Sequence, residues 1–130
     1  MSFASDIAKF AAKTGQSMQQ VKRVTFIKIC EPIIGMTPVD IGRAKGNWQS
    51  SKGSFKAGVI ERLDKSGGSA IAEMMAVAES TKGDETLCMV NNLHYINRLE
   101  NGYSKQAPVG MVTLNVQRFT TAVKQAVSGL

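Results

Sequence analysis

Apolar residues open the chain at helical spacing. Phe3, Ile7, Phe10, Met18, Val21 and Val24, with Thr14 in the same stripe, recur at steps of three and four, which places them on one face of an α-helix. The spacing predicts one long amphipathic N-terminal helix. Ser2 or Ser5 caps its start, Gly15 weakens it midway, and Pro32 with Gly35 stops it, because proline disfavours helical backbone in the residue before it.

From Met36 the pattern breaks. The stretch MTPVDIGRAKGNWQSSKGSFKAG is too punctuated by Thr, Pro, Gly and Asp for a helix and reads as a loop. Trp48 and Ser50, then Phe55, Ala57 and Val59, alternate, which predicts one or two strands joined around Ser51-Lys52-Gly53-Ser54. Ser66-Gly67-Gly68-Ser69 is a flexible Gly/Ser connector. AIAEMMAVAES after it is rich in strong helix formers and predicts a short helix, with a strand pairing back onto the sheet as the alternative. A turn at Thr81 to Asp84 leads into ETLCMVNN, an apolar run of the length of a buried strand.

Tyr95 and Leu99, four apart with Ile96 beside Tyr95, predict another short helix, closed by Asn101-Gly102, the residues best able to take the left-handed conformation. YSKQAPVG, interrupted by Pro108, is an extended loop, and Met111, Leu114, Phe119, Val123 and Val127 predict a C-terminal helix. Helices thus flank a few strands without regular strand and crossover alternation. That order predicts an α+β fold, a long N-terminal helix and a C-terminal helix packed on a small, mainly antiparallel sheet. Residues 1–130 read as a single domain, a length at which folding buries roughly two thirds of the unfolded surface.

Composition narrows the functions. No run of about 18 apolar residues exists to span a bilayer, and Asp6 and Lys9 interrupt the one stretch that would serve as a secretory leader. The net charge of +6 is uneven: residues 1–65 hold eleven Lys/Arg against five Asp/Glu, and residues 66–130 hold five of each. A solvated basic face, or contact with nucleic acid or an acidic protein surface, accounts for such a split. Cys30 and Cys88 sit in apolar surroundings without CxxC spacing, which predicts buried free thiols; a disulfide between them stays open at this stage.

Chemistry is sparse. His94 is the sole imidazole, too few for a histidine-based triad with a second ligand. Asp84 and Glu85 are adjacent, as in a solvated turn, and the glycines of GRAKG and SGGS match neither phosphate-loop pattern. No catalytic residue, cofactor or metal site is expected.

Two motifs go beyond generic loops. The first is Thr37-Pro38-Val39-Asp40-Ile41-Gly42-Arg43-Ala44-Lys45-Gly46-Asn47-Trp48. The second joins Tyr95-Ile96-Asn97-Arg98-Leu99-Glu100-Asn101-Gly102 to Ser104-Lys105-Gln106-Ala107-Pro108-Val109-Gly110-Met111. Together they resemble the neck or tail-completion (head-tail joining) proteins of tailed bacteriophages and prophages. That family is similar in having an N-terminal helix, a TPVDTG segment running through Arg, Gly and Trp into a strand, and a YAxxLExGxSxQAPxGM segment before a C-terminal helix. Ile41 stands where the family often has Thr, and Asn97 where a small or aromatic residue is common.

The resemblance implies a non-enzymatic virion protein, made in the host bacterial cytoplasm. It would form a ring, a hexamer or alternatively a dodecamer, against connector, tail terminator or tail tube proteins. DNA passes the lumen without sequence recognition, and no membrane is involved. The loops from Thr37 to Ser51 and from Gly102 to Met111 are expected to carry the contacts, since binding residues concentrate in loops on a rigid scaffold. Arg43, Lys45, Trp48, Glu100, Tyr103, Lys105, Pro108 and Met111 are the expected interface residues, several of them of types enriched at interfaces. Glu100 is expected exposed, or paired with Arg43 or Lys45 of a neighbouring copy, and Tyr95 and Leu99 are expected in the core. The alternative is a small basic DNA-binding module gripping phosphates with Arg43, Lys45, Lys52 and Lys56.

Overall fold

Ser17 divides the N-terminal helical stretch in two. The structure, a computed structural model that describes residues 3–82 and 84–127, has helix α1 at Phe3–Thr14 and helix α2 at Met18–Met36. Ser17 Oγ accepts from the Gln20 backbone N–H at 3.1 Å, while Gln20 Oε1 accepts from the Ser17 N–H at 2.9 Å. This reciprocal box satisfies two donors at the start of α2. Ser17 itself is extended, at φ −69° and ψ 158°, so the helical ladder does not cross it. The expected single long helix is therefore corrected to two; the expected cap Ser2 lies outside the described residues.

Pro32 does not stop α2. It removes one N–H and the bond that group would make to the Lys28 carbonyl, a loss of about 3 kcal/mol. Ile33 and Ile34, just beyond it, are both buried, and two such side chains contribute about 3–6 kcal/mol. Burial outweighs the missing bond, and the helix runs on to Met36. Its last carbonyls then find partners: the Thr37 N–H donates to Ile34 O at 3.2 Å, Thr37 Oγ1 donates to Ile33 O at 2.7 Å, and Lys45 Nζ donates to Gly35 O at 3.1 Å. Three of the four orphan acceptors of the helix end are so covered.

The remaining elements are α3 at Arg43–Gly46, strand β1 at Gln49–Lys52, α4 at Gly68–Ser80, strand β2 at Leu87–Val90, α5 at Ile96–Glu100 and α6 at Val112–Val127. β1 and β2 form a two-stranded antiparallel sheet in which Gln49 faces Val90 and Lys52 faces Leu87. The fold is a small α+β arrangement, with the strands placed where the alternation and the apolar run put the first and last of them.

A second strand at Phe55 to Val59 does not form. Main-chain groups of that stretch are held by side chains instead: Asn92 donates to Lys56 O at 2.9 Å and Gly58 O at 3.0 Å, and the Asn47 carboxamide takes both the N–H and the C=O of Ile60. The Ser66 to Ser69 connector is ordered by Asp64, whose carboxylate accepts from the Ala70 N–H at 3.0 Å and so starts α4.

The core lies between α2, α4 and the sheet, with the 101–111 loop closing one side. Ala70, Met74 and Ala78 recur every four residues along the buried face of α4, where Met74 fills the core and the two alanines leave room for α2. Cys30, Ile33, Ile34, Trp48, Met74, Ala107 and Met111 form one buried cluster. Cys30 and Cys88 are both buried and free; burial pushes the Cys30 thiol up to about 12. α6 packs against α1 and α2 at the far side of the molecule.

Candidate functional site

The two motif loops meet. Gln106, in the 101–111 loop, reads the main chain of Val39 as a neighbouring strand would: its Oε1 accepts from the Val39 N–H and its Nε2 donates to Val39 O, both at 2.9 Å. Pro38, Val39 and Ile41 from the first loop and Tyr95, Leu99 and Tyr103 from the second line one open groove of about 410 Å³. Ile41 and Tyr103 stand exposed on it, at 51% and 76%, beside Asp40, Arg43 and Ser104, and Val109, 65% exposed, follows in the same loop as Tyr103. The Arg98 guanidinium lies 6.0 Å from the centre of the Tyr103 ring, within reach of a cation–π contact.

Local sequence fixes the second loop. At the end of α5 the Gly102 N–H donates to Leu99 O at 3.1 Å and the Tyr103 N–H to Arg98 O at 3.0 Å, with Gly102 at φ 86°. That pair of bonds is a Schellman closure, which needs a left-handed residue at the position Gly102 occupies. The chain then returns so that Glu100 receives the start of α6. Its Oε1 accepts from the Met111 and Val112 N–H groups at 2.9 and 2.8 Å, and its Oε2 from Thr113 at 3.0 Å. Partial burial acts to raise the Glu100 carboxyl, and the three amides with the Thr113 hydroxyl outweigh it, so the net shift is downward.

Set beside the expected interface residues, the structure sorts them into two groups. Arg43, Tyr103, Lys105 and Pro108 are exposed. Trp48, Met111 and Lys45 are not, at 5%, 0% and 7% exposure, and their assignment to an interface is corrected. The indole and the thioether fill the core, while the Lys45 ammonium is spent on the end of α2. Glu100 is also corrected: it turns inward to α6 rather than outward to Arg43 or Lys45 of another copy. Ile41, Gln106 and Val109 are functional candidates that reasoning from the sequence missed. Their signal was present, since Ile41 and Val109 are apolar residues set among Asp, Gly and Pro, where no helix or strand periodicity would bury them.

Compared with family models, with curated proteins and with solved structures, the chain matches none. The site must therefore be argued from its own residues.

Of the four cations proposed for phosphate contact, Lys45 is buried. Lys52 lies 3.7 Å from Glu85 and Lys56 lies 3.4 Å from Glu73, which also holds Arg62 at 3.4 Å. Lys52 and Lys56 are exposed as well, and Arg43 stands exposed at the edge of the groove. Among the described residues no three His, Cys, Asp or Glu side chains gather as metal ligands would, and no helix is long and apolar enough to cross a membrane. His94 is exposed and meets Tyr95 edge to face at 5.2 Å. Glu85 caps a turn by accepting from the Lys82 N–H at 2.7 Å. The arrangement suits gripping another polypeptide: an apolar, aromatic rim on two loops held rigid from behind.

Proposed function

We propose that this chain is a structural subunit of the head-tail junction of a tailed phage particle, built into a ring whose groove between residues 38–44 and 95–106 receives a neighbouring protein. The observation that carries the reading is the meeting of the two motif loops, far apart in sequence, in one exposed surface stitched by Gln106 and Val39. Each loop is braced by bonds that serve no other evident purpose than to hold its shape, as preformed interfaces require. Ile41, Tyr103 and Val109 supply the apolar contact, and Arg43 and Lys105 the polar rim. The ring stands against connector, tail terminator or tail tube proteins, and DNA passes without base recognition.

Purified chain mixed with phage connector, tail terminator and tail tube proteins tests this reading. Mass photometry is expected to show a closed complex of six or twelve copies on its partner. Tyr103→Ala combined with Ile41→Asp is expected to weaken that complex at least thirtyfold, the loss of a central anchor of about 2 kcal/mol. No complex with any of these proteins overturns the proposal, and so does duplex DNA affinity that falls steeply between about 50 and 200 mM salt.

A further inference from the structure

The sheet has one covered edge and one open edge. In an antiparallel pair, residues alternate between pointing their main-chain groups at the partner and away from it. The Gly53 N–H donates to Thr86 O at 2.8 Å, so residues 49, 51 and 53 of the β1 side point inward, while 48, 50 and 52 point outward. Two outward groups on the β1 side are taken by side chains: the Ser50 N–H donates to Glu73 Oε1 at 2.9 Å, and Arg62 Nη2 donates to the O of Trp48, just before the strand, at 2.8 Å. By the same register Leu87 and Met89 of β2 point their main-chain groups outward, and there no partner exists among the described residues.

That open edge lacks the usual protections. β2 reads Leu87-Cys88-Met89-Val90, with no proline, charge or bulge to discourage pairing. It borders a groove of about 800 Å³, walled by Ile7, Phe26, Ile29 and Leu87 with Lys22 and Asp84. An extended segment laid along β2 would find main-chain partners on one side and an apolar trough for its side chains on the other.

The chain carries a segment of that kind. Phe55 is 63% exposed, and Val59 beside it is exposed as well. Lys56, next to Phe55, lies 3.4 Å from Glu73 yet stays 44% exposed, and its charge is opposite to that of Asp84 in the groove wall, where Lys22 also stands. The segment cannot turn onto the β2 edge of its own molecule, because Gly53 is tied to Thr86 and the carbonyls of Lys56 and Gly58 are held by Asn92.

We infer that the outer edge of β2 and the adjoining groove receive residues 54–57 of a second copy of this chain, with Phe55 as the anchor. The inference rests on the reading of the chain as a ring subunit and names the contact that closes the ring. Donor and acceptor are different patches of one molecule, so each copy gives a segment to one neighbour and takes one from the other, which generates a ring or an open filament.

The test uses the assembled protein with its tail partners. One chain carries Ala57→Cys and a second carries Leu87→Cys; both positions lie outside the core, and the native thiols are buried. Mild oxidation of the mixed assembly is expected to give a cross-linked dimer that neither variant gives alone. Phe55→Asp is expected to keep the monomer's melting temperature while lowering the assembled fraction at least tenfold. Assembly with no such cross-link, a cross-link formed by one variant alone, or normal assembly of Phe55→Asp overturns the inference and leaves the ring reading standing. Failure of the unmodified chain to assemble under any of these conditions overturns both.

Discussion

The indole N–H of Trp48 donates to Thr37 Oγ1 at 2.7 Å, and that hydroxyl in turn donates to Ile33 O at 2.7 Å. One short chain of bonds therefore joins the first residue after α2 to the residue that leads into β1. All three groups are buried, so a missing member leaves an unsatisfied polar atom in the core. Trp48→Phe is expected to cost about 1–3 kcal/mol, and Trp48→Ala about 3–5 kcal/mol. Urea unfolding monitored by circular dichroism reads both.

Glu100 gives a pH signature. Its folded carboxyl lies below the ordinary value of 4.5, so its contribution is fully present above that value and is lost as the pH falls through the lower, folded one. Wild-type protein should thus lose stability below about pH 4.5 by an increment that Glu100→Gln lacks. At neutral pH, Glu100→Ala is expected to cost about 1–2 kcal/mol, as for other lost helix caps. Melting curves of the three proteins between acid and neutral pH decide it; parallel curves would refute the assignment.

Gly110 and Gly53 both have positive φ, at 80° and 88°, but differ in what surrounds them. A Cβ on Gly110 would lie 2.1 Å from Glu100 O, whereas one on Gly53 would meet nothing within 4 Å. Gly53→Ala is expected to cost about 1–2 kcal/mol for the left-handed backbone alone. Gly110→Ala should cost clearly more, because the loop must also move away from α5. Equal losses in chemical denaturation would show that the close approach carries no weight.

Lys45 and Arg43, two residues apart, should behave oppositely. Lys45→Ala uncovers the Gly35 carbonyl and removes a buried stem, an expected loss of about 1–2 kcal/mol. Arg43→Ala and Tyr103→Ala, both exposed, should stay within about 0.5 kcal/mol of wild type while weakening partner binding. Thermal melts alongside binding measurements separate the two classes.

Much of the scaffold could be read along the chain. Helix-forming composition located α4, apolar spacing located α5 and α6, the LCMV run located β2, and Asn101-Gly102 closed α5 where a left-handed residue is required. The break at Ser17 was visible too, since Ser17 and Gln20 have the capping-box spacing, but the apolar stripe through Met18 and Val21 masked it. Pro32 was misread because a local rule says nothing about two isoleucines that tertiary burial rewards. The candidate site was half legible: the motifs picked out two loops that do meet, but residue type could not say which way Trp48, Met111 or Lys45 points. That depends on where α2 ends and what remains unpartnered there.

The pairing of α1 with α6 joins the two ends of the described fold. In synthesis α1 is made well before α6, the helix that packs against it. An amphipathic helix must therefore wait for its packing partner while α2 through α5 and both strands are translated.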